Sequence, residues 1–280
     1  MTRSLLLGLI GEGISASRTP RMHEDEGDAH GLTTIYRTID VAEQRLASVP
    51  LDELLTSAVN LGFDGLNITH PFKQQVIDLL DDVDPVARRI GSVNTVVIDE
   101  AGRTTGHNTD VTGFARGFEA GLNGAARDQV VQIGAGGAGR AVAFALSELG
   151  VKDLVLTDIS AERAQDLAAE IGDHARAVPM AELKPAITSA DGIVNATPVG
   201  MAAFPGTPFD TSLLDSQTWV ADVVYFPLET QLLAEAKGKG CRTLDGSGMA
   251  VNQAIDAFEL FSGQKAEPAR MRETFLSFGA

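Results

Sequence analysis

The stretch VVQIGAGGAG at residues 130–139 decides how this chain folds. A strand-type run leads directly into Gly134, Gly136 and Gly139, spaced as G-x-G-x-x-G, and the helix-type segment Ala141–Leu149 follows. In such a turn the first glycine permits the tight bend, the second lets the backbone approach a pyrophosphate, and the third lets the helix pack on the strand. The helix N-terminus adds free N–H groups and the positive end of its dipole. The stretch therefore predicts a Rossmann-like dinucleotide-binding domain, with a glycine turn that binds no ligand as the alternative.

The residue that ends the next predicted strand bears on which dinucleotide binds. Asp158 lies 19 residues after Gly139, close to the distance at which a carboxylate usually meets the adenosine ribose. A carboxylate there accepts hydrogen bonds from both ribose hydroxyls of NAD and repels the 2′-phosphate of NADP, so the pattern predicts NAD. Arg163 leaves an alternative open, because its guanidinium can pair with a 2′-phosphate or stack on adenine. In a second alternative, Asp158 and Ser160 only cap the helix that follows.

Strand-type and helix-type segments alternate along the whole chain, which is typical of α/β architecture with largely parallel sheets. The predicted strands are Leu5–Ile10, Thr34–Asp40, Gly65–Ile68, Val93–Ile98, Val130–Ile133, Leu154–Thr157, Gly192–Asn195 and Trp219–Val224. The predicted helices are Pro20–His30, Leu51–Leu61, Lys73–Leu79, Asp110–Leu122, Ala141–Leu149, Ala161–Ile171 and Glu229–Lys239. Apolar residues near helical spacing after Gly248 predict terminal helices that return to the first unit.

The composition argues against several classes of protein. With 280 residues, 44% of them apolar, the chain can form one large domain or two average ones. Its net charge of −16, with no basic run, argues against nucleic acid and anionic membrane surfaces as partners. Cys241 is the single cysteine, and no Cys/His grouping has the spacing of a zinc site, so we expect a cytoplasmic location and no metal. No apolar run is long enough to predict a membrane-spanning helix.

Four polar stretches lie at the ends of predicted strands in the first unit, where α/β sheets place ligand sites. They are residues 15–20, 67–73, 92–95 and 106–110. Together they supply hydroxyls, amides, one amine and one carboxylate, which suit a small polyhydroxylated acid. Each candidate also has a structural explanation as a helix cap, a turn residue or a solvated side chain. The residues concerned are Ser17, Thr19, Lys73, Asn94 and Asp110.

These stretches, in this order, resemble the motifs of the shikimate dehydrogenase family, and in particular its quinate/shikimate dehydrogenase members. The early motifs are Ser17-Arg18-Thr19-Pro20, Asn67–Lys73, Val93-Asn94-Thr95 and Gly106–Asp110. The later ones are Asn195–Met201, Asp222–Pro227 and Gly248-Met249 followed by Gln253. The resemblance therefore extends over most of the chain.

The resemblance implies an oxidoreductase with two α/β domains. A substrate-binding and catalytic domain would occupy residues 1–110, and a doubly wound, Rossmann-like NAD-binding domain would occupy residues 111–245. The C-terminal helices, residues 246–280, would return to the substrate domain. Hydride would pass reversibly between the C3 hydroxyl of quinate or shikimate and NAD, giving 3-dehydroquinate or 3-dehydroshikimate.

The resemblance also implies roles for individual side chains. Lys73 and Asp110 would be the catalytic pair, with Lys73 as the base or proton relay. The substrate would be bound by Ser17, Thr19, Thr69, Lys73, Asn94, Asp110, Tyr225 and Gln253. The cofactor would be bound by Gly134, Gly136, Gly137, Ala138, Gly139, Asp158, Arg163, Thr197, Val199, Val224 and Gly248.

Two positions depart from the family pattern. Thr19 replaces the second serine of Ser-x-Ser, and its added methyl group near the substrate C1 favours acceptance of quinate as well as shikimate. The segment Thr157–Ser160 replaces the Asn-Arg-Thr of NADP-using members, which agrees with the NAD prediction. The alternatives are a biosynthetic NADP-dependent enzyme acting on shikimate only and a non-catalytic sensor of these acids and the nucleotide. The sequence gives no indication of the oligomeric state.

Overall fold

The computed structural model describes residues 4–278, which divide into two compact α/β units. Unit 1 contains the chain up to Thr109 and from Val251 onward, and unit 2 is Asp110–Ala250. The sequence predicts these boundaries after residues 110 and 245. The second boundary falls later because one continuous helix, Ser247–Ser262, contributes residues to both units. The two α/β units confirm the predicted fold class, and the ligand roles of the individual segments stay predictions.

Strands and helices alternate over residues 4–278. The strands are β1 (Ser4–Gly11), β2 (Thr33–Asp40), β3 (Gly65–Ile68), β4 (Asp82–Val83), β5 (Thr95–Ile98), β6 (Thr104–His107), β7 (Gln129–Ile133), β8 (Asp153–Thr157), β9 (Ala175–Ala177), β10 (Gly192–Asn195), β11 (Trp219–Asp222) and β12 (Thr243–Leu244). The helices are α1 (Thr19–Ala29), α2 (Leu51–Asn60), α3 (Pro85–Ile90), α4 (Asp110–Gly121), α5 (Gly137–Glu148), α6 (Ala161–Ile171), α7 (Lys184–Ser189), α8 (Gln231–Gly238), α9 (Ser247–Ser262) and α10 (Pro268–Leu276). Short 3-10 helices lie at Gln75–Leu79, Met180–Glu182 and Thr211–Leu213. Within the described part of the chain, none of these helices combines the length and apolar character that a bilayer crossing requires.

The sheet of unit 1 is mixed, with the strand order β2-β1-β3-β5-β6-β4. Strands β1, β2, β3 and β6 run in one direction, and β5 pairs antiparallel with both β3 and β6. The sheet is therefore largely parallel, as the sequence predicts, and β5 is the antiparallel exception. The connection from β5 to β6 is only residues 99–103, and so short a connection can join antiparallel neighbours only. As a result, the amino end of β5 lies at the same sheet edge as the carboxyl ends of β1, β3 and β6.

Helix α2 covers one face of this sheet with an apolar stripe. Its buried residues follow the i, i+3, i+4, i+7 spacing of one helix face, and they pack in a core that includes strand residues of β1, β3 and β5. These helix residues are Leu51, Leu54, Leu55 and Ala58. The polar loop residues at the carboxyl edge are therefore attached to a rigid, apolar support.

The C-terminal helices pack on α1 within unit 1. The buried carboxylate of Glu26 accepts hydrogen bonds from Arg270 Nε and Glu267 N, each at 2.7 Å. Burial opposes ionisation of Glu26, but these bonds and one from His30 outweigh it and lower the pKa of the carboxyl. Phe261 of α9 packs against β3 where only glycine fits, because a Cβ at Gly65 would overlap its ring.

The sheet of unit 2 is parallel throughout, in the order β12-β11-β10-β7-β8-β9. This is the doubly wound order, in which the winding reverses between β7 and β10. Loops at the carboxyl ends of strands β7 and β10 diverge at this reversal, and ligands of open α/β sheets bind there. The arrangement confirms the Rossmann-like prediction made from residues 130–139.

Some predicted elements differ from the structure. The helix expected at Lys73–Leu79 is only a 3-10 helix at Gln75–Leu79, where Val76 is buried and Ile77 packs partly against the same core. The strand expected at Val93–Ile98 begins at Thr95, because Val93 N donates to Lys73 O in the turn after β3 and not to a neighbouring strand. Strand β6 was missed, since the sequence TTGH lacks an apolar run. Helices α3 and α7 and strands β4, β9 and β12 were also missed, because each has too few residues for a periodic pattern.

We expect His23 to make unit 1 sensitive to acid. His23 is fully buried with the rings of Tyr36, Phe258 and Phe261 within 6.2 Å, and burial lowers its pKa to about 4, with weaker opposing effects from a bond to Thr19 O and from Glu26. Below about pH 6.5, His23 is protonated in the unfolded chain but stays neutral in the folded protein. The free energy of unfolding therefore falls as the pH falls from about 6.5 towards 4.

The measurement compares the free energy of unfolding of the wild type and His23→Phe as a function of pH. Between about pH 7.5 and pH 5, the wild type should lose about 2 kcal/mol relative to the variant. Tyr36→Phe, which alters the same core and keeps the imidazole, serves as the control and should keep the wild-type slope. Parallel curves for wild type and His23→Phe would contradict the prediction.

Candidate active site

Asn94 connects the polar loops of unit 1. Its Nδ2 donates to Thr109 Oγ1 at 2.9 Å, while its Oδ1 accepts from Thr109 N at 2.8 Å and from Thr95 Oγ1 at 3.1 Å. Its backbone N donates to His107 O at 3.0 Å, and its backbone O accepts from Ile68 N at 2.8 Å. The side chain is buried. Asn94 therefore ties the ends of β3, β5 and β6 together at the carboxyl edge of the sheet.

Thr69 and Lys73 lie in the turn that follows β3, and both are half-buried. Thr69 N donates to Ile10 O of β1 at 3.0 Å, and Lys73 O accepts from Val93 N, next to Asn94, at 2.8 Å. A Cβ at Gly11 would overlap Thr69 Cγ2, so glycine is needed where β1 approaches this turn. The structure therefore brings Thr69, Lys73 and Asn94 to one edge of unit 1.

Ser17 and Thr19 follow β1 at the same edge, on either side of Arg18, the N-cap residue of α1, which makes no side-chain cap hydrogen bond. Ser17 Oγ accepts from Thr19 N at 3.3 Å. Arg18, between them, is buried, donates from Nη1 to Phe275 O at 2.9 Å and lies 4.7 Å from the centre of the Phe275 ring. Helix α10 thus anchors the Ser17–Thr19 segment. Sequence reasoning missed Arg18, because only the tertiary fold places α10 beside this loop.

The remaining predicted substrate residues lie at several places in the chain. Asp110 is the first residue of α4, is buried, and belongs to unit 2, directly after Thr109. Tyr225 follows β11 in unit 2 and is half-buried. Gln253 is a half-buried residue of α9 in unit 1. The roles of these residues stay predictions.

The glycine turn of unit 2 has the shape of a phosphate loop. Gly134 has a φ of +106°, and a Cβ there would lie 2.6 Å from Ala196 O of the neighbouring loop. A Cβ at Gly139 would overlap Gly134 O, whereas one at Gly136 would meet no atom within 4 Å. The backbone at Gly136 therefore faces open space, and the half-buried residues Gly137 and Ala138 start α5 beside it. This cradle fits a pyrophosphate group.

Gln132 supports this loop from below. Its fully buried side chain donates from Nε2 to Gly134 O at 2.8 Å and to Gly139 O at 2.7 Å. Within the described residues, its Oε1 has no hydrogen-bond partner. Sequence reasoning did not single out Gln132, although a polar residue inside an otherwise apolar buried strand is the signal that finds it.

Asp158 connects the phosphate loop to the start of α6. Its Oδ2 accepts from Ala135 N at 2.7 Å, and its Oδ1 accepts from Ser160 N at 2.8 Å. Ser160 is the N-cap of α6 and accepts from Arg163 N at 3.4 Å, so Asp158 itself is not the cap. The side chain of Arg163 is exposed in the first turn of α6. The carboxylate therefore lies beside the loop, where the ribose next to a bound pyrophosphate is expected.

The loops after β10 and β11 hold the other predicted cofactor residues. Thr197 and Val199 form one turn, in which Val199 N donates to Thr197 Oγ1 at 3.2 Å. Val224 follows β11, and a Cβ at Gly246 would lie 2.7 Å from its carbonyl oxygen. Gly248, in the first turn of α9, packs on α4, where a Cβ would lie 3.0 Å from Gly117 Cα. These residues gather at the carboxyl edge of unit 2 with the phosphate loop.

Three domain models of one family match this chain. The shikimate dehydrogenase substrate binding domain matches residues 9–96, the shikimate/quinate 5-dehydrogenase model matches residues 119–203, and the shikimate 5′-dehydrogenase C-terminal domain matches residues 246–274. The chain belongs to the shikimate dehydrogenase family. This confirms the resemblance seen in the sequence motifs.

Relatives within the shikimate dehydrogenase family include both cofactor types. A quinate/shikimate dehydrogenase (NAD(+)) of Corynebacterium efficiens is 57% identical over 279 residues, covering 98% of each chain. A shikimate dehydrogenase (NADP(+)) of an Arthrobacter species is 53% identical over 282 residues, covering 99% of this chain and 96% of the relative. The solved quinate dehydrogenase from Corynebacterium glutamicum in complex with NAD superposes with a TM-score of 0.93 at 54% identity, covering 99% of this chain and 100% of that one.

We expect a negative charge at position 132 to destabilise unit 2 more than the loss of the Gln132 donor alone. In Gln132→Glu a carboxylate oxygen would replace Nε2 and face the carbonyls of Gly134 and Gly139. Gln132→Leu removes the same donor without adding a charge. At about pH 8, urea unfolding should give a loss of about 3 kcal/mol or more for the glutamate variant and about 1 kcal/mol for the leucine variant. Equal losses would contradict this account of the loop.

Proposed function

We propose that this chain is an NAD-dependent quinate/shikimate dehydrogenase that transfers hydride reversibly between the C3 hydroxyl of quinate or shikimate and NAD. The use of NAD is supported by the carboxylate of Asp158, whose Oδ2 accepts a hydrogen bond from Ala135 N of the phosphate loop at 2.7 Å. The polar edge of unit 1 carries the substrate part. The NAD-linked relative from Corynebacterium efficiens supports both parts.

Asp158 favours NAD because of its charge and its fixed position. Its two oxygens are oriented by the backbone N–H groups of Ala135 and Ser160, so the carboxylate cannot easily turn away from an adenosine bound beside the loop. Its remaining lone pairs can accept from ribose hydroxyls. A 2′-phosphate at the same place would meet like charge and no donor. The side chain of Arg163 is exposed and can rotate in solvent, so its attraction for a 2′-phosphate is weaker than the repulsion from the fixed carboxylate of Asp158.

The edge of unit 1 suits a hydroxylated carboxylic acid. Ser17 and Thr19 are the proposed partners of the substrate carboxylate, and Thr69 and Asn94 are the proposed partners of its hydroxyls. Quinate has a tetrahedral C1 with an extra hydroxyl, whereas C1 of shikimate is planar. The methyl group of Thr19 changes the shape of the site near this atom, which supports the use of both acids.

Lys73 and Asp110 are the proposed catalytic residues. Oxidation of the C3 alcohol needs a base for the hydroxyl proton as hydride leaves, and the Lys73 amine is proposed to take that proton. In the reverse direction the protonated amine polarises the ketone and returns the proton. Asp110 is proposed to orient the amine and to accept a substrate hydrogen bond. NAD, when bound, supplies the hydride acceptor.

The proposal extends to location and partners. A dehydrogenase that draws on a dissolved pool of NAD and small acids is proposed to work in the cytoplasm, without nucleic acid or membrane partners. The rival functions are an NADP-dependent shikimate-only enzyme and a non-catalytic sensor. Turnover of either acid with NAD separates the proposed enzyme from the sensor.

A comparison of two acids and two nucleotides tests the substrate and cofactor together. Absorbance at 340 nm should give kcat/KM values for both quinate and shikimate that are roughly 10²-fold higher with NAD than with NADP, because like charges repel at Asp158. Asp158→Asn removes the charge and keeps one accepting oxygen, so it should lower the ratio of kcat/KM with NAD to kcat/KM with NADP. A wild-type preference for NADP, or no turnover of quinate, would refute the respective part of the proposal.

Substitutions of Lys73 test the proton-transfer role. Lys73→Ala and Lys73→Arg should each lower kcat by roughly 10²-fold or more, because neither side chain can accept the proton. Lys73→Arg keeps a positive charge, so it should preserve KM for the acid better than Lys73→Ala does. Lys152→Ala, an exposed position in unit 2, is the control. An unchanged kcat with only a raised KM would reduce Lys73 to a binding residue.

A further inference from the structure

Asp222 and Thr230 form a buried polar connection that the proposed reaction does not use. Asp222 ends β11 and is 2% exposed, and Thr230 is the N-cap of α8 and is fully buried. Burying a carboxylate costs free energy unless donors surround it. The hydrogen-bond donors around this carboxylate therefore show which parts of the structure it holds in place.

Three groups donate hydrogen bonds to Asp222. Its Oδ1 accepts from Asn195 Nδ2 at 2.9 Å and from Val224 N at 3.0 Å, and its Oδ2 accepts from Thr230 Oγ1 at 2.8 Å. Burial raises the pKa of Asp222 to about 6, and these hydrogen bonds limit the rise. The carboxylate is therefore ionised at pH 7 and above, where it can only accept hydrogen bonds.

An acceptor-only partner fixes which way the amide of Asn195 points. Because Asp222 cannot donate, the NH₂ group of Asn195 must face it, and the amide oxygen must face the other way. That oxygen accepts from Thr197 N at 3.1 Å and from Thr197 Oγ1 at 2.6 Å, while Nδ2 also donates to Val199 O at 2.8 Å. With a reversed amide, the contacts with Asp222 and Val199 O would pair acceptor with acceptor, and the contact with Thr197 N would pair donor with donor. Asp222 thus reinforces the amide orientation that the turn containing Thr197 and Val199 requires.

This turn lies directly against the phosphate loop. A Cβ at Gly134 would be 2.6 Å from Ala196 O and 2.9 Å from Thr197 Cγ2, so the two loops are in contact at the strand-order reversal. On its other side, Gly200 has a φ of +110°, and a Cβ there would lie 3.2 Å from Thr230 Cγ2. The turn is therefore held between the phosphate loop and the Asp222–Thr230 pair.

We propose that Asp222, oriented by Thr230, is a positioning residue for NAD, which acts by fixing the amide of Asn195 and with it the cofactor-binding turn of Thr197 and Val199. The inference rests on the proposed function, since it assumes that NAD binds at this edge. Val224 N donates to the same carboxylate, so Asp222 also holds the start of the loop after β11 in position.

A purely structural role predicts a different result. Thr230 Oγ1 also accepts from Leu233 N at 3.3 Å, so it caps α8 and contributes to stability whatever its effect on the cofactor. Asp191 provides a matched control at the opposite edge of the same sheet. Its carboxylate accepts from Asp128 N at 2.6 Å and from Gln129 N at 3.0 Å, at the amino end of β7. Its loss should weaken unit 2 without disturbing the turn.

The experiment compares the wild type, Asp222→Asn, Thr230→Val, Thr230→Ser and Asp191→Asn. Asparagine at position 222 removes the negative charge, so Asn195 Nδ2 loses its ionised acceptor and the amide of Asn195 is held only by its bonds to Thr197 and Val199 and a weaker bond to position 222. Valine at position 230 removes the hydroxyl and keeps the shape, and serine restores the hydroxyl. Thermal unfolding confirms that each variant folds, and calorimetric titration with NAD alone gives the dissociation constant. Steady-state kinetics then separate KM for NAD from KM for quinate.

We expect Asp222→Asn and Thr230→Val to raise the dissociation constant and KM for NAD by about tenfold, because a disordered turn must be reordered on binding. KM for quinate should stay within about twofold, and Thr230→Ser should regain near-wild-type affinity for NAD. Asp191→Asn should lower the melting temperature and leave the affinity for NAD unchanged.

Two results would overturn the inference. One is wild-type affinity for NAD in Thr230→Val. The other is an equal loss of affinity in Asp191→Asn, which would mean that any weakening of unit 2 has this effect. If Asp222→Asn does not fold, the Thr230→Val and Thr230→Ser pair decides the question. A wild-type protein that binds no NAD would instead overturn the proposed function.

Discussion

The close approach of backbone to backbone at the end of β7 is the constraint on which unit 2 depends. Gly134 O lies so near Gly139 that a side chain at position 139 would overlap it, and Gln132 donates to the carbonyls of both residues from below. This contact sets the first turn of α5 directly over the end of the strand. It also turns Ala135 N towards Asp158 and presses Gly134 against Ala196. One tight contact therefore aligns the ends of β7, β8 and β10 around the site where the proposed cofactor binds.

In unit 1 the ends of the strands are held together by hydrogen bonds of a side chain and not by close backbone contacts at glycines. Asn94 precedes the antiparallel strand β5, which brings it to the edge formed by the carboxyl ends of the neighbouring strands. Its amide and backbone groups then bond to the ends of β3 and β6. The proposed substrate groups are thereby attached to the end of a sheet that has one face covered by the apolar side of α2, which keeps their positions fixed.

Local patterns predicted much of this structure, and the reasons for the failures are physical. The run into Gly134 and the carboxylate at Asp158 were found because the requirements of a phosphate turn are local to about thirty residues. The direction of β5 was not found, because strand direction depends on pairing partners that are distant in sequence. Lys73 was placed in a helix because its neighbours are helix-type, yet the turn after β3 leaves only a 3-10 helix further on. Arg18 carries no local signal of burial, since its partner Phe275 lies at the other end of the chain.

The amino-acid sequence by itself determined the α/β class, the phosphate turn, the order of the family motifs and the carboxylate that favours NAD, because each of these follows from residue types at short spacings. Only the tertiary structure decided which buried polar groups hold the site residues in place. Gln132, Asn195, Asp222 and Arg18 gain their roles from partners on other strands and helices. A buried polar side chain is stable only when folding brings its donors and acceptors within hydrogen-bond distance, and those partners cannot be identified from the local sequence.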